Sequence, residues 1–229
     1  MPHQVTAGSR RPVGHRRPVP YWIGVGLLLA GLAVLGWIAW QYWGTNWVAD
    51  RKQHQLVQQW QQGQRLQPRY VPTGKVSALV RIPRFGKDYV VPVLEGTSEA
   101  VLAKGFGHFR HTSDPGEVGN YALAGHRVTH GEPLRNMPEL RPGNRVIIET
   151  AHWRYVYRLD TNPNRLIVPF TALWVLDRIP DNPASGGVQP KQAKGQRLIT
   201  LATCSELFHT DNRMIAFGHL VKKVHKTGA

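Results

Sequence analysis

Residues 197–204 read Arg197-Leu198-Ile199-Thr200-Leu201-Ala202-Thr203-Cys204, uncharged after the first residue and ending on the chain's single cysteine. Eight residues of this β-branched and aliphatic character suit a buried strand better than a helix, which needs more length. Working outward, comparable short runs occupy residues 76–82, 89–93, 120–124, 145–150, 153–159, 166–168 and 214–221, beside 197–203 itself. Ile147-Ile148 and Tyr155-Val156-Tyr157 carry the β-branched and aromatic bias of strands. Arg141-Pro142-Gly143-Asn144 reads as a turn, and Thr97 or Ser98 can cap a short helix through Ala103, ended by Gly105. Eight strands with few helices predict an all-β fold, a closed or nearly closed eight-stranded barrel with short helices.

The barrel has a different neighbour on its N-terminal side. Residues 21–40, YWIGVGLLLAGLAVLGWIAW, carry no charge. As a helix rising about 1.5 Å per residue they span roughly 30 Å, the thickness of a bilayer's hydrocarbon core. Tyr21, Trp22, Trp37, Trp40, Tyr42 and Trp43 cluster at the two ends, where amphipathic rings sit at the lipid interface. A cleaved signal peptide would have a shorter apolar run and an Ala-x-Ala exit, so an uncleaved transmembrane anchor is expected. Arg10, Arg11, Arg16 and Arg17 precede it without an acid among them. Positive-inside logic therefore places the tail in the cytoplasm and the long C-terminal part outside. The organisation read from the chain is a basic tail at 1–20, an anchor at 21–43, a stalk or linker at 44–73 and a folded domain at 74–229. The stalk, Gln-rich with scattered Trp47, Leu56, Val57 and Trp60 and interrupted by Gly63 and Pro68, reads as solvated.

The 229 residues carry 29 Lys and Arg against 14 Asp and Glu, a formal charge of +15. Residues 1–73 hold eight of the basic residues and one acid, Asp50, so the folded part is only moderately basic. On an extracytoplasmic domain that charge suits phospholipid headgroups or anionic wall polymers, and nucleic acid is not an expected partner. One cysteine excludes an intramolecular disulfide and a cysteine-rich zinc site.

Several chemical motifs fail on inspection. Gly105-Phe106-Gly107 lacks the third glycine of a dinucleotide fingerprint, and no Gly-x-Ser-x-Gly elbow is present. His126 and His130 stand four apart, but HRVTH lacks the glutamate of a zinc-peptidase helix and lies at a strand end. The acids are scattered rather than clustered, so no metal site and no cofactor are expected. His3, His15, His54, His111, His152 and His225 read as solvated surface. What remains is His126, Cys204 and Arg213. Cys204 ends one strand, Arg213 opens the next nine positions on, and His126 follows the strand Tyr121-Ala122-Leu123-Ala124 through Gly125. A sulfur nucleophile, a proton carrier and a guanidinium for an oxyanion suffice for acyl transfer. Each residue alone has an ordinary reading, a buried small thiol or a surface cation.

Together the residues resemble a family. Thr200-Leu201-Ala202-Thr203-Cys204, with Arg213 nine positions on, is similar to the TLxTC…R signature of sortases. Pro115-Gly116-Glu117-Val118-Gly119-Asn120, leading to Ala124-Gly125-His126-Arg127, resembles the segment that carries their histidine. The resemblance runs in order from Val76 to Val221 and is greatest to class E sortases of high-GC Gram-positive bacteria. It implies a sortase-like barrel behind a single membrane helix, with the activity of a cysteine transpeptidase. Cys204 would attack the Thr–Gly bond of an LPXTG-like or LAXTG-like sorting signal on a secreted protein. Arg213 would hold the oxyanion, and His126 would serve as general acid and base. An amine of a peptidoglycan precursor would accept the acyl group, anchoring the protein to the wall. Thr203 would line the substrate groove. Class E sortases typically carry Gly-His-Tyr seventeen residues before the histidine, where this chain has Gly107-His108-Phe109. The resemblance therefore implies a substrate contact for Phe109, without the tyrosine's hydroxyl. Two rivals stay open at this point: an anchored cysteine transpeptidase that cross-links peptidoglycan, and a non-catalytic wall-binding barrel with Cys204 merely buried.

Overall fold

The computed structural model describes residues 19–40, 44–66, 76–204 and 211–226. The basic tail up to residue 18, the linker expected at 67–74 and anchor residues 41–43 fall outside these segments. The chain divides into two units, Met1–Trp40 and Gln41–Ala229. In the first, α1 (Val19–Ala39) is the apolar helix expected from the sequence. Its stretch Pro20–Ala39 has a mean hydropathy of 2.1, long and apolar enough to cross a membrane.

The second unit opens with a helix, α2 (Thr45–Leu66). Among the described residues nine strands then form one sheet: β1 (Val76–Arg81), β2 (Val91–Glu95), β3 (Phe106–His108), β4 (Gly119–Ala124), β5 (Arg145–Glu149), β6 (Trp153–Leu159), β7 (Ile167–Pro169), β8 (Arg197–Cys204) and β9 (Asn212–His225). A short helix, α3 (Glu99–Leu102), begins after Ser98. The strand order is β6-β5-β1-β2-β3-β4-β8-β9-β7, and β6 also pairs with β9. That extra pairing closes eight strands into a barrel and leaves β7 as a ninth strand outside the ring. The sequence supplies the right number of barrel strands but one wrong member. The short strand β3 belongs to the ring, whereas the strand expected at 166–168 corresponds to the outlying β7.

The reason is local. β3 is only three residues long and contains Gly107, too short and glycine-broken a run to stand out as a strand. A Cβ at Gly107 would run into the Gly96 carbonyl and the Leu102 side chain, so this strand needs the bare backbone to sit beside the turn after β2.

Alternation along each strand builds two apolar layers. Ile199 and Leu201 of β8 join Tyr121 and Leu123 of β4 and Met214 and Ala216 of β9 inside the barrel. The residues between them, Ala202, Ile215 and Phe217, face outward into a second cluster with Val175 and Leu166. Cys204 shares the outward phase of Ala202, and Arg213 that of Ile215.

The solvated-stalk reading of residues 45–66 needs correction. They form α2, whose Val57 and Trp60 bury against Val76 and Leu79. β1 turns Ala78 and Val80 inward and so leaves Leu79 apolar on its outer face, where α2 covers it. Lys226 lies with its ammonium 4.6 Å from the Trp60 ring centre and donates to the Thr150 carbonyl; burial lowers its pKa. The Gln-rich composition hides this because only one narrow stripe of α2 is apolar.

The turn before β4 shows what the glycine-rich segment is for. Gly116 adopts φ +80°, and a Cβ there would strike the Tyr155 ring. Its N–H donates to the Tyr157 hydroxyl at 2.7 Å, deep in the barrel, where burial pushes the phenol's pKa up. Next in line, the buried Asn120 amide donates to the Val175 and Asp177 carbonyls at 3.1 and 3.2 Å. Its carbonyl oxygen accepts from the Thr200 hydroxyl at 2.7 Å. Asn120→Ala takes the amide donor from the Asp177 carbonyl and leaves Thr200 only its longer 3.4 Å bond to the Val175 carbonyl, so a loss of about 1–3 kcal/mol is expected. A fall in melting temperature of several degrees, read by circular dichroism, checks this; an unchanged melt would contradict it.

Candidate active site

β4 and β8 are neighbours that run in parallel, with Ala124 opposite Ala202. His126 and Cys204 each stand two residues beyond that pair, so both emerge at the same barrel rim. The step between is locked at both ends. Gly125 N–H donates to the Ala202 carbonyl at 3.1 Å, and the Thr203 hydroxyl donates to the Gly125 carbonyl at 2.7 Å. The residue before the histidine is thus tied to the residue before the cysteine.

Arg213 enters from the other side. β9 runs antiparallel to β8 with Arg213 directly opposite Cys204. Facing residues in such a pair point the same way with Cβ atoms about 4.5–5.5 Å apart. The thiol and the guanidinium therefore share the outer face of the sheet. One guanidinium N–H of Arg213 donates to the Asn212 carbonyl at 3.0 Å, which steers the side chain along the strand end. Cys204 is half-buried. Residues 205–210, between the two, lie outside the described segments.

His126 has company that the sequence does not announce. Its Nε2 lies 3.3 Å from a carboxylate oxygen of Glu99, at the start of α3. The His130 ring stacks on it, 4.9 Å between centres, with Nδ1 3.8 Å from the same oxygen. The HRVTH spacing therefore does carry a glutamate, but one contributed by another element. Nothing in a linear scan connects Glu99 to His126, 27 positions away in the chain. The available signal is the four-residue spacing of the two histidines. α2 also reaches this loop: Gln53 donates to the His130 carbonyl at 3.2 Å, and Gly131 N–H donates to the Asn46 side-chain oxygen at 3.0 Å.

The other two residues expected in the site, Thr203 and Phe109, have different surroundings. Thr203, next to Cys204, is buried, and its hydroxyl donates to the Gly125 carbonyl. Strand parity explains this, because Thr203 shares the inward phase of Leu201. Phe109 follows β3 and lines a groove of about 750 Å³ with Thr97, Leu173, Leu176 and Arg178, while His126, Cys204 and Arg213 line none of it. Its neighbour His108 is a structural residue, 3% exposed, bridging Glu95 and the Ser113 carbonyl.

Comparison with known proteins adds the following. A family model described as "Sortase domain" matches residues 80–221. Sortase SrtE1 of Streptomyces coelicolor is 35% identical over 215 residues; the match covers 88% of this chain and 57% of that protein. This chain thus spans less than two thirds of that relative's length. Sortase SrtE2 of the same organism is 28% identical, covering 96% of this chain and 91% of its own. Among solved structures, sortase E from Streptomyces avermitilis superposes with a TM-score of 0.56 at 35% identity, over 66% of this chain and 91% of that one. Sortase E1 from Streptomyces coelicolor, with a tripeptide in its active site, gives 0.57 at 32% identity, over 68% and 94%.

Proposed function

This chain belongs to the sortase family, and on that premise we propose that it is a membrane-anchored cysteine transpeptidase that attaches secreted proteins to the cell wall. The reading rests above all on one observation. The parallel register of β4 and β8 and the Cys204–Arg213 pairing of β8 and β9 bring three separated residues to one rim.

The chemistry follows from their types. Cys204 Sγ attacks the carbonyl of the Thr–Gly bond in a sorting signal near the substrate's C-terminus. The negative charge that develops on the carbonyl oxygen faces the Arg213 guanidinium, a fixed cation on the same face of the sheet. His126 gives a proton to the departing glycine amine, leaving a thioester between Cys204 and the substrate threonine. An amine of a peptidoglycan precursor then attacks the thioester; His126 takes its proton, and the thiolate leaves. The Glu99 carboxylate stands 3.3 Å from Nε2 of that ring.

The orientation is part of the proposal. With four arginines before α1, the tail stays in the cytoplasm and the barrel faces the wall. Protease added to intact protoplasts should remove residues 76–226, and protection of that region would overturn the proposed topology.

Substrate preference is carried by Phe109. A groove wall at this position presents a ring without the hydroxyl of the usual tyrosine. A tyrosine can bond the N–H of an alanine in a Leu-Ala signal, whereas proline has no N–H to offer. We expect this enzyme to accept both LAXTG and LPXTG peptides. Phe109→Tyr should shift the ratio of their kcat/KM toward LAXTG by about 2- to 12-fold, the range of one hydrogen bond. An unchanged ratio on matched peptides would remove Phe109 from recognition.

A further inference from the structure

We infer that Glu99, His126 and His130 form a binding site for a divalent ion of the zinc class, and that an ion bound there switches the enzyme off. Among the described residues, one oxygen of Glu99 and one ring nitrogen from each histidine lie within 4.8 Å of one another. A tetrahedral zinc ion with bonds of about 2.0–2.1 Å needs donor atoms about 3.3–3.5 Å apart. Nε2 of His126 already stands 3.3 Å from the Glu99 oxygen, and Nδ1 of His130 stands 3.8 Å from it. The two ring nitrogens stand within 4.8 Å of each other, so binding draws the histidines together by up to about 1.4 Å and the exposed Glu99 toward His130 by a few tenths of an ångström. Two imidazoles and one carboxylate are the donor set of a borderline ion with an open fourth position.

The backbone is arranged to present this set. His130, Gly131 and Glu132 have φ values of +56°, +78° and +46°, a left-handed turn that side chains other than glycine rarely adopt. It folds His130 back until its ring stacks on His126. Gln53 and Asn46 of α2 hold that turn in place through the His130 carbonyl and the Gly131 N–H. Nδ1 of His130 is buried, and 3.8 Å is beyond hydrogen-bond distance to Glu99. A divalent ion bonded to all three donor atoms gives that buried nitrogen a partner. Cys204 is not a member of the group, so the thiol stays unligated while the proton carrier is taken out of use. A linear motif cannot reveal the site because its carboxylate comes from α3, not from the helix of a zinc peptidase.

The inhibitory half of this inference rests on the general acid/base role proposed for His126; the binding half does not. The test uses the full chain in detergent and zinc alone, titrated against a chromogenic chelator. One ion should bind per chain. Glu99→Gln and His130→Ala should each weaken binding by about 10-fold or more, the least expected for a lost ligand. Cys204→Ala should leave it unchanged, and cobalt in place of zinc should show no thiolate charge-transfer band. Turnover should fall as zinc is added and return with a chelator, and His130→Ala should need about 10-fold more zinc for the same fractional loss of its own metal-free rate. Unchanged affinity in both variants, with melting curves like the parent's, overturns the site. Loss of binding in Cys204→Ala also overturns it. Binding by these residues without inhibition overturns the switch and counts against His126 as the proton carrier, leaving the ion site standing.

Discussion

Cys204→Ala is expected to abolish both peptide cleavage and transfer, a fall of about 10⁴-fold or more, to background. The chain has no second thiol to take over. Every later step proceeds through the thioester, so both half-reactions fail together. The fold should survive. Cys204 closes β8 at the barrel rim, is half-buried, and loses only a sulfur atom on substitution. A melting curve close to the parent's, with no turnover of a sorting peptide, is the expected pair of results. Residual turnover above background would mean another nucleophile, and the wall-binding reading would gain if the parent were equally inert.

Arg213→Lys is expected to reduce kcat/KM by roughly 100-fold or more, the usual scale for one oxyanion donor, while Cys204 still reacts with an alkylating reagent. Lysine keeps the charge but loses the planar fork that presents two N–H groups in one fixed direction. The position is demanding because it is set by sheet register. Arg213 lies directly across from Cys204, and its outward phase follows from Ile215 and Phe217 packing into the outer cluster. A near-parental rate for Arg213→Lys would show that charge alone suffices and that the guanidinium is not a geometric clamp.

Much of this site is legible in the amino-acid sequence, and the reason is physical. Cys204 ends a short uncharged run whose β-branched and aliphatic character marks it as a strand, and Arg213 opens the next, so adjacency along the chain predicts adjacency in the sheet. His126 is harder, because β4 and β8 are 78 positions apart at their paired Ala124 and Ala202; only the family resemblance ties it to the cysteine. Glu99 and His130 are not legible as partners, since their meeting depends on α3 and on a left-handed turn at His130. The inward phase of Thr203 and its bond to the Gly125 carbonyl are not legible, because strand parity cannot be assigned until the core face is known. α2 passes for a solvated stalk because burial of Trp60 and Val57 depends on Leu79, an outward-facing residue of a strand in another part of the chain. Asn120 and Thr200 belong to the segments that carry the family resemblance, yet their contacts are structural: a buried hydrogen-bond pair that holds β4 to β8.

The most direct test of the central claim is intact-mass analysis of the full chain after brief mixing with a sorting peptide and no amine acceptor. The account predicts a covalent adduct on the parent protein equal to the peptide fragment ending in threonine less one water. That adduct should be absent in Cys204→Ala and should disappear when hydroxylamine is added. No adduct with either LAXTG or LPXTG peptides, or an adduct that persists in Cys204→Ala, would contradict it.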